Sequence, residues 1–290
     1  MFGSTWYVAP MRYGRASFTA KAVAFWRSLG DMGLTRVPGF SDPFARKLLN
    51  GRIADTLLRG AQRVLRNAHG QGRAKLALGL DVVLLRVSFI DAVVTELQPR
   101  QVVIVGAGLD TRAWRLGALR AARVFEVDHP ATQAYKRERA PLLGQPLAEV
   151  HYVPVDFTVD DLSRSLRAAG HDPNTPTLWI WEGVIMYLGD AALRSTLAAI
   201  RRSSASGSTL IAHYHEPEAS QTSRSVRSAL FQVLGEPQIG VRTRHTMREE
   251  LERAGFEIRE DVGPVEQAAR VGAPTDVHPR GLISRIAVAS

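Results

Sequence analysis

The strongest indication of the fold is the stretch Val102-Val103-Ile104-Val105-Gly106-Ala107-Gly108-Leu109-Asp110. Four apolar β-branched residues predict a buried strand. The glycine pair that follows lets the backbone come closer to a ligand than a side chain would allow. Asp128 lies twenty residues after Gly108, at the end of a second apolar run, and its carboxylate is suited to accept hydrogen bonds from a ribose diol. The pattern predicts half of a nucleoside-cofactor site, with a plain strand–helix turn as the alternative.

The residues after the glycine pair indicate which cofactor binds. A dinucleotide-binding fingerprint needs a third glycine, but Thr111 stands at its place and Asp110 precedes it. A carboxylate there would repel a pyrophosphate. The pattern therefore favours S-adenosylmethionine, which carries a cationic sulfonium and no phosphate. An NAD(P)-dependent oxidoreductase is the alternative enzyme class.

From Gln101 onward, short apolar runs alternate with helical stretches. This alternation is typical of βαβ units, so we predict an α/β fold with a mostly parallel sheet. The predicted strands are Val102–Val105, Val124–Val127, His151–Val155, Leu178–Trp181, Thr209–His213, Phe256–Glu260 and Leu282–Ala289. The predicted helices are Thr132–Ala140, Asp160–Ala169, Ala191–Arg202 and one that runs from a capping box at Thr246–Glu249 to Ala254. The predicted loops are Pro141–Pro146, Gly170–Pro176 and Gly263–Pro279.

The chain before this region is predicted to be helical. Residues 1–98 are expected to cover the sheet and to form one side of the substrate site. Residues 99–290 are expected to form the cofactor-binding core. The Ser/Arg-rich stretch at about 215–245 is predicted to be an inserted lid, because insertions beyond the carboxyl ends of the strands build substrate walls. The predicted N-terminal helices are Lys21–Leu29, Pro43–Leu49 after an Asp42 cap, Ile53–Ala68 and Leu76–Leu97.

The composition of the 290 residues excludes several classes of function. The chain has no cysteine, which rules out disulfides, thiolate metal sites and cysteine nucleophiles. Its net charge is +9, but the basic residues are mostly scattered arginines without interleaved aromatics, so nucleic-acid binding is not expected. A basic, non-catalytic binding module is the non-enzyme alternative. We expect a cytoplasmic monomer or homodimer with no membrane contact and no metal.

Polar residues at the ends of two further strands extend the candidate site. Asp156 and Phe157 follow the third strand and are suited to contact the adenine amino group and to cover its ring. A helix N-cap at Asp156 or Thr158 is the alternative. Glu182 ends the fourth strand, where its carboxylate would face the ammonium or sulfonium of the cofactor. Tyr187 follows and either reaches the same cleft or packs in the core.

One arginine stands in an apolar helical run. Arg86 lies within Val82–Ile90, and a guanidinium is costly to bury unless it is paired. Arg86 is therefore predicted to bind a carboxylate of the cofactor or of the acceptor through two parallel hydrogen bonds. The alternative is a structural ion pair, for example with Asp91.

The chain resembles the leucine carboxyl methyltransferase-like family, which includes bacterial polyketide carboxyl O-methyltransferases. The resemblance is carried by three segments, Val103–Arg115, Val124–Lys136 and Trp179–Leu188. The motifs read VxxGAGxDxRxxRL, FEVDxPxxxxxK and xEGxxMYL, and they occur here in family order. With Asp42-Pro43-Phe44 and Arg86, the likeness spans about residues 19–215. It implies a class I S-adenosylmethionine-dependent methyltransferase, whose Rossmann-like seven-stranded sheet is flanked by helices.

The resemblance also implies roles for single residues. Arg86 and Tyr187 match groups that face an acceptor carboxylate. A lysine that phosphatase-methylating members carry before the Asp-Pro pair has no counterpart, and Asp31 stands near its place, so a phosphatase tail is not the expected acceptor. The residues that match the family's cofactor contacts are Arg86, Gly106, Asp128, Asp156 and Glu182, grouped here with Ala107, Gly108 and Phe157.

The expected activity is O-methylation of a carboxylate on a small-molecule or natural-product acceptor, such as a polyketide, to give a methyl ester. A carboxylate is ionised at neutral pH and needs no base, so the enzyme mainly aligns the reactants. A phenol or another hydroxyl is the alternative acceptor, and a base would then help. His213 and His215 are the candidates for that base, and His215 joins Arg86 and Tyr187 as a candidate catalytic residue.

Overall fold

A computed structural model describes residues 17–49, 51–68, 70–157, 159–217, 239–276 and 283–290, without the side chains of residues 70–78 and 283. Most of the predicted lid at about 215–245 lies outside these residues, as do Thr158 and Leu282.

A seven-stranded sheet forms the centre of the fold, as predicted. The strands are β1 Gln101–Val105, β2 Arg123–Asp128, β3 Glu149–Pro154, β4 Thr177–Trp181, β5 Thr209–Glu216, β6 Ile258–Val262 and β7 Ile283–Ala289. Their order is β3-β2-β1-β4-β5-β7-β6, and only the pairs that involve β7 are antiparallel. The order reverses between β1 and β4, which is where open α/β sheets bind ligands at the carboxyl ends of their strands.

Helices cover both faces of the sheet, so its central strands are apolar throughout. All 5 residues of β1 and all 5 of β4 are buried, as expected for parallel strands covered on both sides. Val103 and Trp179 pack in one apolar layer, whereas Val102 and Leu178 pack in the other. This two-sided burial holds the ends of β1 and β4 in place beside each other.

The helices agree with the predicted pattern over most of the chain. They are α1 Phe18–Leu29, α2 Ala45–Leu49, α3 Arg52–Asn67, α4 Gly70–Leu97, α5 Arg112–Arg115, α6 Pro130–Arg139, α7 Leu162–Ala168, α8 Asp190–Arg202, α9 Arg244–Arg253 and α10 Pro264–Val271. In the described ranges, none of them has both the length and the apolar character needed to cross a membrane.

Two predictions about the last third of the chain are wrong. The capping box does not start at Thr246: α9 begins a turn earlier, and the Thr243 side chain accepts a hydrogen bond from the Thr246 N–H at 3.1 Å. The predicted loop Gly263–Pro279 contains α10, whose first turn is closed by Glu266 accepting from the Gly263 N–H at 3.0 Å. Burial of Ala268 against the N-terminal helices stabilises this short helix.

The N-terminal helices are joined to the sheet by a buried polar contact. Asp42 is fully buried, and its carboxylate accepts from Arg27 Nη1 at 2.8 Å and from Thr111 Oγ1 at 2.8 Å. It also caps α2 by accepting from the Ala45 N–H at 3.1 Å, as predicted for the Asp-Pro pair. Arg27 further donates to the carbonyl oxygen of Leu109. The N-terminal segment is therefore anchored directly to the loop that follows β1.

Candidate active site

The glycine loop after β1 is closely packed. Gly106 and Gly108 have φ angles of +71° and +53°, which glycine adopts without strain. A Cβ on Gly106 would lie 2.2 Å from Cγ2 of Val184, so no other residue fits there without movement. The N–H groups of Gly106 and Ala107 donate to the Val127 carbonyl at 2.8 and 2.9 Å. These bonds hold the loop against the end of β2.

Asp128 lies at that end of β2, facing the glycine loop. One of its carboxylate oxygens accepts from the Gly108 N–H, and the other accepts from the His129 N–H at 2.7 Å. Burial raises the pKa of Asp128 to about 6, although both hydrogen bonds favour the ionised form. The structure thus places Asp128 beside Gly106, Ala107 and Gly108, the arrangement expected of a ribose-binding carboxylate.

Glu182 follows β4 and is held by two arginines. Its Oε1 lies 2.8 Å from Arg86 Nε, and its Oε2 lies 2.8 Å from Arg112 Nη2. Burial disfavours the ionised form of Glu182, but the charges of Arg112 and Arg86 outweigh burial and lower its pKa. The side chain is therefore a carboxylate at neutral pH, next to the glycine loop across the β1–β4 crevice.

Arg86 is an ion-pair partner, but not of Asp91. It pairs with Glu182 through Nε, whereas Asp91 binds Arg112 at 2.7 Å and Arg115 at 2.6 Å. Within the described part of the chain, the two terminal nitrogens of Arg86 make no hydrogen bond. The side chain is only 9% exposed. The guanidinium is thus fixed at one edge and retains donors for a ligand.

Asp110 does not present an unpaired charge to the site. Its carboxylate accepts from the backbone N–H of Arg112 at 2.7 Å and from Arg112 Nη1 at 2.5 Å. Burial opposes its ionisation, but the charges of Arg112 and Lys136 outweigh burial and lower the pKa of Asp110 to about 2. The expected repulsion of a pyrophosphate by Asp110 is therefore largely compensated by Arg112.

Asp156 and Phe157 follow β3, beside Asp128. Asp156 Oδ2 lies 3.9 Å from His129 Nε2, and Phe157 packs against the apolar layer on its side of the sheet. The alternative role of Asp156 as a helix cap is wrong, because Asp161 caps α7 by accepting from the Arg164 N–H at 2.9 Å. Asp156 is thus left at the same sheet edge as the other candidate cofactor contacts.

His213 and His215 lie within β5 rather than after it. They share one face of the strand, as predicted, and their ring centroids are 5.0 Å apart. His213 is fully buried: Nδ1 accepts from the Gly183 N–H at 3.1 Å, and Nε2 lies 2.9 Å from Ser284 Oγ. Burial and the charge of Arg86 lower its pKa well below the usual value. Among the described residues, no group of His, Asp and Glu could hold a metal ion.

The start of α1 covers the glycine loop. A Cβ on Gly108 would lie 3.1 Å from the Cβ of Ala20, and Thr19 Oγ1 lies 3.3 Å from the hydroxyl of Tyr187. Tyr187 ends a short helical turn, Ile185–Tyr187, just beyond Glu182. Tyr187 is therefore in contact with the start of α1, the segment that covers the glycine loop.

Several buried charged residues around this site have no role that could be predicted from the sequence. Arg112 contacts three carboxylates, those of Asp91, Asp110 and Glu182. Lys136 donates to the Asp110 carbonyl at 2.6 Å and to the Glu126 carboxylate. Both basic residues are specified positions of the family motifs: Arg112 in VxxGAGxDxRxxRL and Lys136 in FEVDxPxxxxxK. Their presence in those motifs was the available signal, but their partners are visible only in the fold.

The fold and the crevice define a class I S-adenosylmethionine-dependent methyltransferase. The chain belongs to the leucine carboxyl methyltransferase family, whose model matches residues 20–201. A protein of Mycolicibacterium paratuberculosis, named "Putative S-adenosyl-L-methionine-dependent methyltransferase", is 36% identical over 218 residues, 73% of this chain and 71% of that protein. The cofactor is therefore S-adenosylmethionine, as predicted, and not a nicotinamide.

Two further proteins extend the likeness over most of the chain. A similarly named protein of Mycolicibacterium smegmatis is 29% identical over 275 residues, 90% of this chain and 89% of that protein. The crystal structure of a DUF574 family protein from Streptomyces avermitilis has a TM-score of 0.60 and 15% identity, covering 94% of this chain and 97% of that one. At this identity the structural likeness shows the fold alone.

Proposed function

We propose that this methyltransferase transfers the methyl group to a carboxylate oxygen of a small-molecule acceptor and so forms a methyl ester. The observation that carries the proposal is the hydrogen bonding of the Arg86 guanidinium. Glu182 fixes its Nε, and its terminal nitrogens make no hydrogen bond within the described part of the chain. A planar guanidinium edge with free donors matches the two oxygens of a carboxylate.

The other candidate residues fit the cofactor. We propose that the glycine loop lies against the bound cofactor and that Asp128, which accepts from the Gly108 N–H at the end of β2, binds the ribose hydroxyls. We propose that Asp156 and Phe157 contact the adenine and that Glu182 faces the methionine ammonium. When bound, S-adenosylmethionine supplies a methyl group on a positively charged sulfur, so an anionic acceptor oxygen needs no further activation.

The hydrogen bonds of His213 argue against this residue as the base for a hydroxyl acceptor. The Nδ1 lone pair of His213 already accepts the Gly183 N–H, so this ring cannot take a proton from a substrate without losing that bond. A carboxylate is ionised at neutral pH, and the task of the chain is to orient it and to exclude water. We propose that Arg86 holds the acceptor carboxylate and that the Tyr187 hydroxyl donates to it.

The test is a transfer assay with methyl-labelled cofactor and a panel of carboxylic acids and phenols. Methyl esters release labelled methanol in alkali, whereas methyl ethers do not. We expect alkali-labile product, and Arg86→Ala should lower turnover about 10- to 100-fold, the effect of losing a charge-assisted hydrogen-bond pair. Arg194→Ala is the matched control, because Arg194 lies on α8, is half-exposed and pairs with Glu250 of α9.

Three results would contradict the proposal. Alkali-stable product, lost in His215→Ala, would favour a hydroxyl acceptor with His215 as the base. Unchanged turnover in Arg86→Ala would remove Arg86 from the acceptor site. A loss confined to the affinity for S-adenosylhomocysteine would make Arg86 a cofactor contact only.

A further inference from the structure

The imidazole of His213 connects two parts of the molecule that meet at the crevice. Its Nδ1 lies 3.1 Å from the N–H of Gly183, the residue directly after Glu182. Its Nε2 lies 2.9 Å from Ser284 Oγ, on the neighbouring strand β7. His213 and Ser284 are 0% and 2% exposed, so water does not compete for these bonds.

The backbone determines the proton positions in this contact. The Gly183 N–H is a donor only, so Nδ1 must be the acceptor, and the neutral ring then carries its proton on Nε2. That proton is donated to Ser284 Oγ. The nearby charge of Arg86 and the burial of the ring keep the imidazole neutral. Both ring nitrogens are therefore committed to structural hydrogen bonds.

The bond to Gly183 acts on the turn that presents Glu182. Gly183 has a φ of +73°. Among the described residues other than its chain neighbours, no atom lies within 4 Å of where its Cβ would be, so their side chains do not hold the turn from that side. The peptide N–H that His213 binds belongs to the bond between Glu182 and Gly183. Fixing this peptide fixes the direction in which the Glu182 side chain leaves the backbone.

We propose that His213 is a positioning residue, which holds the Glu182–Gly183 peptide so that the Glu182 carboxylate faces the cofactor, and that Ser284 sets the ring orientation. His213 is then not the base of a hydroxyl methylation. The inference rests on the cofactor role proposed above for Glu182, and it does not depend on the identity of the acceptor.

The test is calorimetric titration of the full chain with S-adenosylhomocysteine. His213→Leu removes the acceptor but retains an apolar side chain, and we expect its Kd to rise about tenfold. His213→Asn places an amide oxygen where Nδ1 stands, so it can again accept the Gly183 N–H. We expect its Kd to return to within about threefold of the wild-type value, even where its melting temperature stays lowered, because the hydrogen bond and not the packing is restored.

The outcomes separate this inference from the proposal on which it rests. Wild-type affinity in His213→Leu, or equal losses in the Leu and Asn variants, would overturn the positioning role. Glu182→Gln is titrated in parallel: wild-type affinity there would remove Glu182 from the cofactor site, whereas a loss only there would leave Glu182 in place and reject His213. If His213→Leu does not fold, Ser284→Ala replaces it, with an expected threefold rise in Kd and with an unchanged Kd as the contrary result.

Discussion

Arg86 Nε and Glu182 Oε1 lie 2.8 Å apart, although the two residues are 96 positions apart in the chain. Arg112 binds the second oxygen of the same carboxylate, also at 2.8 Å. Helix α4, helix α5 and the end of β4 are thereby joined through the Glu182 side chain. Arg86, the candidate acceptor contact, and Glu182, the candidate cofactor contact, are thus held in one ion-pair network. A substitution at Arg86, Arg112 or Glu182 is therefore expected to shift the other two side chains.

Arg112 should be the most sensitive of these residues to truncation. Its side chain is 2% exposed, and Arg112→Ala leaves Asp91, Asp110 and Glu182 without their shared cation. We expect the free energy of unfolding to fall by about 3–5 kcal/mol, the usual cost of breaking a buried ion pair. Urea denaturation measures the loss. Arg46→Ala is the control, because the exposed pair of Arg46 with Asp55 should contribute less than about 1 kcal/mol. Similar losses in both variants would contradict the prediction.

Gly106→Ala should abolish tight cofactor binding. The new Cβ would meet Val184 at 2.2 Å, and the φ of +71° strains any residue other than glycine. Such strain costs about 1–3 kcal/mol, so the affinity for S-adenosylhomocysteine should fall about tenfold or more. Gly117→Ala is the matched control, because no atom of the described chain, apart from the neighbours of Gly117 in sequence, lies within 4 Å of its Cβ position. Calorimetry compares the two, and a Gly106→Ala variant that binds like the control would refute the close packing of the loop.

Cofactor binding should weaken in acid because of Asp128. Its pKa is raised by burial to about 6, so the carboxylate is ionised above that pH and gains a proton below it. If only the ionised form binds, one proton makes the affinity for S-adenosylhomocysteine about tenfold lower at pH 5 than at pH 7. Asp128→Asn should bind weakly and lose this pH dependence. Equal slopes for the wild type and the variant would assign the titration to another group.

Two neighbouring leucines test the packing of the N-terminal segment. Leu58 is 1% exposed and lies in the apolar cluster beneath α3, whereas Leu57 is 59% exposed. Leu58→Ala should lower the free energy of unfolding by about 2–5 kcal/mol, and Leu57→Ala by less than about 0.5 kcal/mol. Urea denaturation measures both. A large effect at Leu57 would show that the exposed face of α3 is covered in solution.

The regular elements were predictable where the pattern is local. Burial on both faces makes each parallel strand a short apolar run, and this run can be recognised without knowing its neighbours. The helix caps near the end of the chain were not predictable in this way. Thr243 and Thr246 are equally good caps by residue type. Helix α9 begins after Thr243 because backbone hydrogen bonds hold the chain before it: the Gly240 N–H donates to the Met186 carbonyl, and the Arg242 N–H donates to the His215 carbonyl.

The glycine loop, the strand-end carboxylates Asp128 and Glu182 and the cofactor class could all be predicted from residue types alone, because each depends on residue type at a fixed distance from a strand. The partners of the charged side chains became visible only in the folded molecule. Arg86 pairs with Glu182 and not with Asp91, and the negative charge of Asp110 is balanced by an ion pair with Arg112. An ion pair depends on distance in space, which the sequence separation of two residues does not specify, and burial then makes each of these pairings strong.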